Sequence, residues 1–388
     1  MKTVYLDNSA TTPLGEAAKK KITEVMEIYG NPSSLHSAGQ AAEKVMEEAR
    51  EQILRGLGQR PRQKDGALVF TSCGTEATAL ALIGSAHAKA RRTAKRILTT
   101  DSEHPSVHRN LERLAEEGFE IVQIPTPAGV PDIDALEQAL DQPIFLASFM
   151  LVNNETGALY PVAEMFRAVK ARYPEAITHC DAVQGFMKIP FTPASLGADL
   201  VTVSAHKLHA PKGIGALYIS GRMIKEKRIV PFLLGGGQEK GWRSGTENVI
   251  GIAAFGASVE DLQKRQTERI AHMHELHSYA VEKLSALELR LNRPAGAYAP
   301  HIINLTLPSI KSETMLHALS ADGILVSSGS ACSSHSSTPS GTLIAFGLTP
   351  KEADCSLRIS FADENTREDV DALCSSLEKN LARLVRIR

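Results

Sequence analysis

From residue 64 to residue 219 the chain alternates short β-rich runs with helical patterns. Helices are predicted over 76–90 and 108–117, where apolar residues recur at helical spacing. This rhythm is typical of a mainly parallel sheet that is covered by helices on both faces. Ligands bind such sheets at the carboxyl ends of the strands. The predicted strands are residues 67–71, 96–100, 120–124, 144–148, 177–181 and 211–219, with a further buried strand from residue 198 into a turn at 204–207.

The pattern changes after Thr246. A long helical region is predicted over 249–289, and strands are predicted near 301–306, 323–326 and 357–361. The last helix begins with a capping-box sequence at Thr366. Its apolar residues then share one face at three- and four-residue steps; they are Val370, Leu373, Leu377, Leu381 and Leu384.

Two domains are predicted from this change of pattern. A large α/β domain would span residues 15–260, and a smaller α+β domain would combine residues 1–14 with residues 261–388. The helical stretches 15–29 and 40–57 are expected to pack with the smaller domain or in the interface. A chain of 388 residues is long enough to bury two cores.

Composition excludes several classes of partner. The formal net charge is −1 and there is a single Trp, which argues against a nucleic-acid-binding protein. No uninterrupted apolar run reaches the roughly 18 residues that a membrane span needs, and the N-terminus lacks the apolar core of a signal peptide. Five cysteines without a Cys-x-x-Cys pair indicate free thiols in a reducing cytoplasm and fit no common metal site.

Two residues at predicted strand ends have complementary chemistry. Asp181 closes one apolar segment, and Lys207 follows the next one after a serine and a histidine. Pyridoxal phosphate needs a lysine amine to hold its aldehyde as a Schiff base and a carboxylate to keep its ring nitrogen protonated. Taken alone, Lys207 could equally be an ordinary surface lysine and Asp181 a turn residue.

Small hydroxyl residues join a strand to a helix over residues 71–78. The free N–H groups and the dipole at such a helix start favour a bound phosphate. Simple N-capping by Thr75 explains the same local sequence. No dinucleotide fingerprint and no P-loop sequence is present.

Residues 327–341 are unusually rich in serine, which occupies eight of the fifteen positions, and they include Cys332. Such a composition cannot bury enough apolar area to hold one conformation, so mobility is predicted from about residue 330 to residue 340. One interpretation is a disordered surface loop with an incidental cysteine. The other is a thiol that must visit two places.

The chain as a whole resembles the pyridoxal-phosphate-dependent cysteine desulfurases of fold type I. The resemblance covers nearly the whole chain and is specific because its motifs occur together in order. These motifs are YLDNSATTP (5–13), GNPSSLH (30–36), TE (75–76), EH (103–104), NNETG (153–157), HCDAVQ (179–184), SAHK (204–207), GGGQE (235–239), RSGT (243–246) and SGSAC (328–332).

The resemblance implies a mainly parallel seven-stranded sheet flanked by helices, with a smaller α+β domain. It implies that Lys207 binds the cofactor covalently, that Asp181 pairs with the ring nitrogen, and that His104 stacks on the ring and moves protons. Cys332 would be the persulfide-forming catalytic residue on the longer loop found in one branch of the family. The other implied cofactor ligands are Asn154 and Gln184 at the ring oxygen, Gly74, Thr75, Ser204 and His206 at the phosphate, and Thr246 from the other subunit of a homodimer.

Arg358 would bind the carboxylate of the substrate L-cysteine, because a guanidinium binds a carboxylate bidentately. Asn154 would be the second substrate-binding residue. The function implied is a cytoplasmic cysteine desulfurase that passes persulfide sulfur to an acceptor such as an iron–sulfur scaffold protein. A selenocysteine lyase or an aminotransferase on the same fold is the alternative, and a non-catalytic scaffold is a more remote one. The resemblance implies no metal site.

Overall fold

The computed structural model describes residues 3–60, 66–88, 94–328 and 339–385. Within them the strands are β1 Val4–Tyr5, β2 Gly66–Thr71, β3 Arg96–Thr100, β4 Glu120–Ile124, β5 Ile144–Met150, β6 Ile177–Asp181, β7 Leu200–Ser204, β8 Gly215–Ser220, β9 Arg290–Leu291, β10 Ile302–Thr306, β11 Ile324–Leu325 and β12 Ser356–Ser360. The helices are α1 Glu16–Val25, α2 Ser37–Gly56, α3 Gly74–His87, α4 Pro105–Glu116, α5 Ile133–Ala139, α6 Val162–Arg172, α7 Pro193–Leu196, α8 Gly221–Lys225, α9 Val249–Lys264, α10 Gln266–Ser285, α11 Ser312–Ala321, α12 Gly341–Phe346, α13 Pro350–Asp354 and α14 Arg367–Arg383.

The main sheet has seven strands in the order β2-β8-β7-β6-β5-β3-β4. Only β8 runs against its neighbours β2 and β7, and the remaining strands run in one direction. The predicted α/β fold with a mainly parallel sheet is therefore confirmed. Its consequence for function is that β2, β3, β5, β6 and β7 all end at the same edge of the sheet.

Each face of the main sheet has its own apolar layer. On one face α3 and α4 pack through Leu80 and Leu111 against Leu217 of the sheet. On the other face α2, α6 and α9 form a larger layer that includes Phe149 and Phe255. Helices on both sides explain why β5 and β7 are buried along their whole length.

A separate apolar cluster surrounds the sheet β12-β10-β9 and the strand pair β1-β11. Helices α10, α11 and α14 cover it, and the N-terminal residues Val4 and Leu6 belong to it. Of the face predicted for the last helix, Val370, Leu373, Leu377 and Leu381 are buried, whereas Leu384 lies just past the helix end and is partly buried. The predicted domain boundary near residue 260 stays a prediction.

Some predicted elements differ from those observed. The helical region predicted over 249–289 is two helices that meet at Arg265. The helix predicted from residue 108 begins at Pro105, because proline suits the first turn of a helix and the His104 side chain caps it. The helix predicted over 76–90 begins earlier, at Gly74, and ends at His87, and residues 89 and 90 lie outside the described part of the chain.

Of the two placements expected for the first two helices, packing with the smaller domain was wrong. Helices α1 and α2 both pack against α9, which belongs to the layer on the main sheet. The reason is the apolar face of α2, whose Met46, Ala49 and Ile53 join the same cluster as Phe255. In the residues that the structure describes, no helix is long and apolar enough to cross a membrane.

A close approach between α2 and α9 generates a first prediction. A Cβ added at Gly256 would lie 2.6 Å from the Cα of Ala49, which is closer than atoms can pack. We expect Gly256→Ala to lower the free energy of unfolding by about 1–3 kcal/mol through overpacking, measured as a shift of the urea midpoint. Gly341→Ala is the control, because a Cβ there meets no atom of the described residues within 4 Å. Equal midpoints for both variants would contradict the close packing of the two helices.

Candidate active site

A cavity of about 200 Å³ opens at the carboxyl edge of the main sheet. Ten of the twelve predicted site residues line it: nine lie at or just after strands of the main sheet that end at this edge, and Arg358 lies on β12 of the separate small sheet. They are Gly74, Thr75, His104, Asn154, Asp181, Gln184, Ser204, His206, Lys207 and Arg358.

Lys207 ends the short 3-10 turn Ala205–Lys207, which directly follows β7. Its Nζ donates hydrogen bonds to the backbone oxygens of Ser9 at 2.6 Å and Ala10 at 2.7 Å. The neighbouring backbone oxygen of His206 accepts from the N–H of Thr12 at 2.9 Å. The N-terminal segment is therefore bound to the turn that carries Lys207 and forms part of the cavity wall.

Asp181 is the last residue of β6, next to β7 in the sheet, and is only 6% exposed. Burial raises the pKa of its carboxyl to about 6, while the N–H of Val183, at 3.0 Å from Oδ1, and the charge of Lys207 lower it. A cationic ring nitrogen placed here would favour the carboxylate further. The site is thus suited to hold a protonated nitrogen heterocycle.

His104 is the N-cap residue of α4 and also lines the cavity. Its Nδ1 accepts the backbone N–H of Ser106 at 3.1 Å, which assigns the proton of the neutral ring to Nε2. Burial, followed by the charges of Lys207 and His108, lowers the pKa of His104 to about 4. At physiological pH the ring is a neutral imidazole with an N–H on Nε2.

The start of α3 forms the other end of the cavity. Helix α3 has 14 residues, and Cys73 at its N-cap makes no side-chain capping hydrogen bond, so the first N–H groups of the helix lack a capping side chain. Because Gly74 is the first helical residue, Thr75 lies inside the first turn, and the interpretation of Thr75 as the N-cap is wrong. A Cβ at Gly74 would lie 3.3 Å from the side chains of Ser204 and Val183, so glycine keeps this approach open.

Pyridoxal phosphate fits these residues. The start of α3, with the hydroxyls of Thr75 and Ser204, would hold the phosphate. Gln184 donates from Nε2 to the backbone oxygen of Ser9 at 2.9 Å, but its Oε1 is buried and has no partner among the described residues. A hydroxyl on a bound ring would supply the missing donor. Lys207 and Asp181 match the aldehyde and the ring nitrogen of the same cofactor.

His206 adjoins the phosphate end of the cavity. Its Nδ1 lies 3.2 Å from the hydroxyl of Thr11. Burial, followed by the charges of Lys207 and Lys212, lowers the pKa of His206 to about 3. A neutral imidazole would bind a phosphate as a hydrogen-bond donor, so the positive end of helix α3 would supply the compensating charge.

Arg358 lies on β12, the strand of the small sheet that approaches the cavity, and is 1% exposed. Its Nη1 donates to the backbone oxygen of Asn154 at 2.9 Å, and its Nη2 donates to the Asp7 carboxylate at 2.9 Å. A buried guanidinium fixed in this way can present its remaining N–H groups to a carboxylate.

Two predicted site residues are not part of this cavity in the described chain. Thr246 lines a separate pocket of about 120 Å³ with Glu239 and Arg243. Cys332 lies outside the described residues, and so does the predicted mobile segment except for residues 339 and 340. In the described ranges, no group of three His, Cys, Asp or Glu side chains could hold a metal ion.

Three residues beside this site were given no role from their sequence positions. Asp7 pairs with Arg358. Glu155 accepts a hydrogen bond from the hydroxyl of Ser340 at 2.7 Å. Glu103 lies beside His104, is 2% exposed, and accepts from the N–H of Met150 at 2.9 Å. All three occur inside the motifs that carry the family resemblance, and this was the only signal that could have found them.

Glu103 generates a prediction about pH. Burial raises its pKa from 4.5 to about 8, although hydrogen bonds from Met150 and Thr100 oppose this. Between pH 4.5 and about 8 the carboxyl of Glu103 is therefore protonated in the folded state and ionised in the unfolded state. The contribution of Glu103 to the stability of the folded state is complete below pH 4.5 and is lost as the pH rises toward about 8. In cofactor-free protein, Glu103→Gln should flatten the fall of the unfolding free energy between pH 5 and 8, by up to about 1.4 kcal/mol per pH unit.

Urea denaturation of the wild type and the variant at several pH values measures this difference. Exposed Glu112, which pairs with Arg109 on the surface of α4, provides the control variant Glu112→Gln. Parallel curves for Glu103→Gln and the wild type would show that Glu103 ionises at the same pH in both states.

Comparison with known proteins places the chain in a family. The aminotransferase class-V family matches residues 4–373. A Dictyoglomus turgidum protein named cysteine desulfurase IscS is 36% identical over 98% of this chain and 95% of its own length. A solved NifS-like protein is 35% identical with a TM-score of 0.89, covering 99% of this chain and 100% of that one. A structure described as SspA in complex with cysteine is 29% identical with a TM-score of 0.77, covering 94% and 100%. The chain belongs to the aminotransferase class-V family.

Proposed function

We propose that this chain is a pyridoxal-phosphate-dependent cysteine desulfurase, which converts L-cysteine into L-alanine and leaves the sulfur as a persulfide on Cys332. The observation that carries the proposal is one cavity lined by Asp181 at the end of β6, by Lys207 just after the neighbouring strand β7, and by Arg358. The relatives named cysteine desulfurase and the related structure with cysteine support L-cysteine as the substrate.

Different residues of the cavity would bind different parts of the cofactor and the substrate. The N-terminus of α3 would hold the phosphate, and Asp181 would hold the ring nitrogen. The guanidinium of Arg358 would hold the substrate carboxylate, with the side chain of Asn154 close by. Pyridoxal phosphate, when bound, supplies an electron sink that weakens the bonds to the Cα of an attached amine.

Proton transfer would involve Lys207 and His104. When the substrate amine takes the place of Lys207, the freed lysine amine can accept the Cα proton. His104 has Nδ1 occupied by the Ser106 N–H, and its pKa is lowered to about 4. In this form the ring can donate its Nε2 proton but is a poor base at Nδ1, so we assign the abstraction of the Cα proton to Lys207.

Sulfur transfer would use Cys332. Its thiolate would attack the substrate sulfur, forming an S–S bond while the substrate Cβ–S bond breaks, and the carbon left behind would take up a proton to give alanine. Ser328 lies four residues before Cys332, a chain length of at most ~14 Å. Its neighbour Ser327 exchanges backbone hydrogen bonds with Arg358 at 2.8 and 3.2 Å. The strand that carries Arg358 is therefore paired with a residue only five positions before Cys332 in the sequence.

Replacing the two reactive side chains tests the function. We expect Cys332→Ser to lower alanine and sulfide formation from L-cysteine at least about 100-fold while the cofactor absorbance is retained. Lys207→Ala should also prevent covalent trapping of the cofactor by borohydride. Cys374→Ser is the control, because Cys374 lies on α14 and packs against the apolar cluster around the sheet β12-β10-β9.

The outcomes separate the alternatives. Unchanged turnover of cysteine by Cys332→Ser, or amino transfer to a keto acid, would indicate an aminotransferase. Preference for selenocysteine in the wild type would indicate a selenocysteine lyase. A purified protein that binds no pyridoxal phosphate would indicate a non-catalytic scaffold.

We further propose a cytoplasmic homodimer that delivers sulfur to an acceptor such as an iron–sulfur scaffold protein. Thr246 lines a pocket that does not include Lys207, as expected of a residue that completes the phosphate site of the other subunit. The exposed apolar side chains Phe232, Leu233 and Leu234 lie in the same connection between α8 and α9 and support a protein contact there.

Hybrid dimers test the shared site. Thr246→Asp should repel the phosphate of the partner subunit, and Lys207→Ala should inactivate its own chain. When both variants are co-expressed, each mixed dimer contains one intact site, so random pairing should restore about a quarter of the wild-type sites. If Thr246 acted within its own chain, or if the protein were an active monomer by sedimentation, the mixture would be no more active than the summed single variants.

A further inference from the structure

The Arg358 side chain makes two hydrogen bonds within the described protein and has further N–H groups that can bind another acceptor. Nη1 binds the backbone oxygen of Asn154 and Nη2 binds Oδ1 of Asp7, both at 2.9 Å, while the buried Nε has no partner among the described residues. A guanidinium has five N–H groups, so three remain for another acceptor. Arg358 can therefore bind Asp7 and a second carboxylate at the same time.

Asp7 is held firmly against the strand that carries Arg358. The backbone of β12 continues into Ser360, whose N–H donates to the oxygen of Leu6 at 2.8 Å and whose oxygen accepts the N–H of Asn8 at 3.3 Å. The backbone oxygen of Asp7 accepts from the N–H of Ala10 at 3.0 Å and from the hydroxyl of Tyr5 at 3.2 Å. Both partners of the ion pair are thus fixed by backbone hydrogen bonds.

The arginine of this ion pair is also buried, whereas the aspartate is partly exposed. The Arg358 side chain is 2% exposed and the Asp7 side chain is 20% exposed. A guanidinium removed from water needs a charged or polar partner, and the loss of that partner would leave it free to take other rotamers. Asp7 is the one carboxylate that forms an ion pair with Arg358 within the described ranges.

We propose that Asp7 is a positioning residue for substrate binding: it holds the Arg358 guanidinium in the orientation that receives the carboxylate of an amino-acid substrate. This inference rests on the proposed function. Asp7 acts only through Arg358, so its effect is confined to substrates that carry a carboxylate. The amine end of the substrate, which would react at the Lys207 side of the cavity, is bound without its help.

The test compares two amines that differ only in the carboxylate. L-Cysteine and cysteamine are titrated into holoenzyme that carries Cys332→Ser, so that binding is read from the cofactor absorbance without turnover. Asp7→Ala should raise the dissociation constant of L-cysteine about tenfold or more, the size of one charge-assisted hydrogen bond. The dissociation constant of cysteamine should stay within about twofold. Asp7→Asn keeps an acceptor oxygen and should recover most of the affinity.

Asp322→Ala is the matched control, because it removes a carboxylate that pairs with Lys379, and neither of these residues lines the cavity. An equal loss for both amines in Asp7→Ala would make Asp7 a structural residue and overturn the inference, as would an unchanged affinity for L-cysteine. Tighter binding of L-cysteine by Asp7→Asn would make Asp7 a competitor of the substrate and would also overturn it. A parent holoenzyme that responds to cysteamine but not to L-cysteine would instead refute the proposed function.

Discussion

The N-terminal segment holds the two halves of the cavity together. At one end it belongs to the apolar cluster around the sheet β12-β10-β9. There the N–H of Val4 donates to the backbone oxygen of Gly323, and the N–H of Leu6 donates to that of Leu325. A few residues later, Ser9 and Ala10 accept the hydrogen bonds of Lys207. Arg358 on the small sheet and Lys207 on the main sheet are therefore positioned by the same short stretch of chain.

Burial then sets the charge state of the cavity. It raises the pKa of Asp181 to about 6 and that of Glu103 to about 8, and it lowers the pKa of His104 to about 4. Each shift favours the neutral form, because charges are costly in a site with little water. A cofactor with a cationic ring nitrogen would reverse this balance at Asp181, where an opposite charge favours the carboxylate.

The sequence predicts the parts of this site that depend on local patterns. Lys207 and Asp181 each follow an apolar strand, and parallel strands end at one edge, so their proximity follows from the alternation of strands and helices. The extent of the main sheet followed from the same pattern. The packing of α1 and α2 did not, because an apolar helix face indicates that the helix is buried but does not identify its neighbour. The start of α3 depended on backbone angles at Cys73 that a run of small residues leaves open.

Contacts between distant residues explain most of what the sequence could not show. Asp7 and Arg358 are separated by 351 positions, and neither periodicity nor spacing relates them. Their pairing requires β12 to lie beside the N-terminal segment, which is a property of the complete fold. Thr246 is a stronger case, since it lines a different pocket from Lys207 and the proposed role at the phosphate would require a second chain. A residue that acts in another subunit's site makes the relevant contact outside its own chain, so its role follows from the assembly and can be tested by mixing subunits.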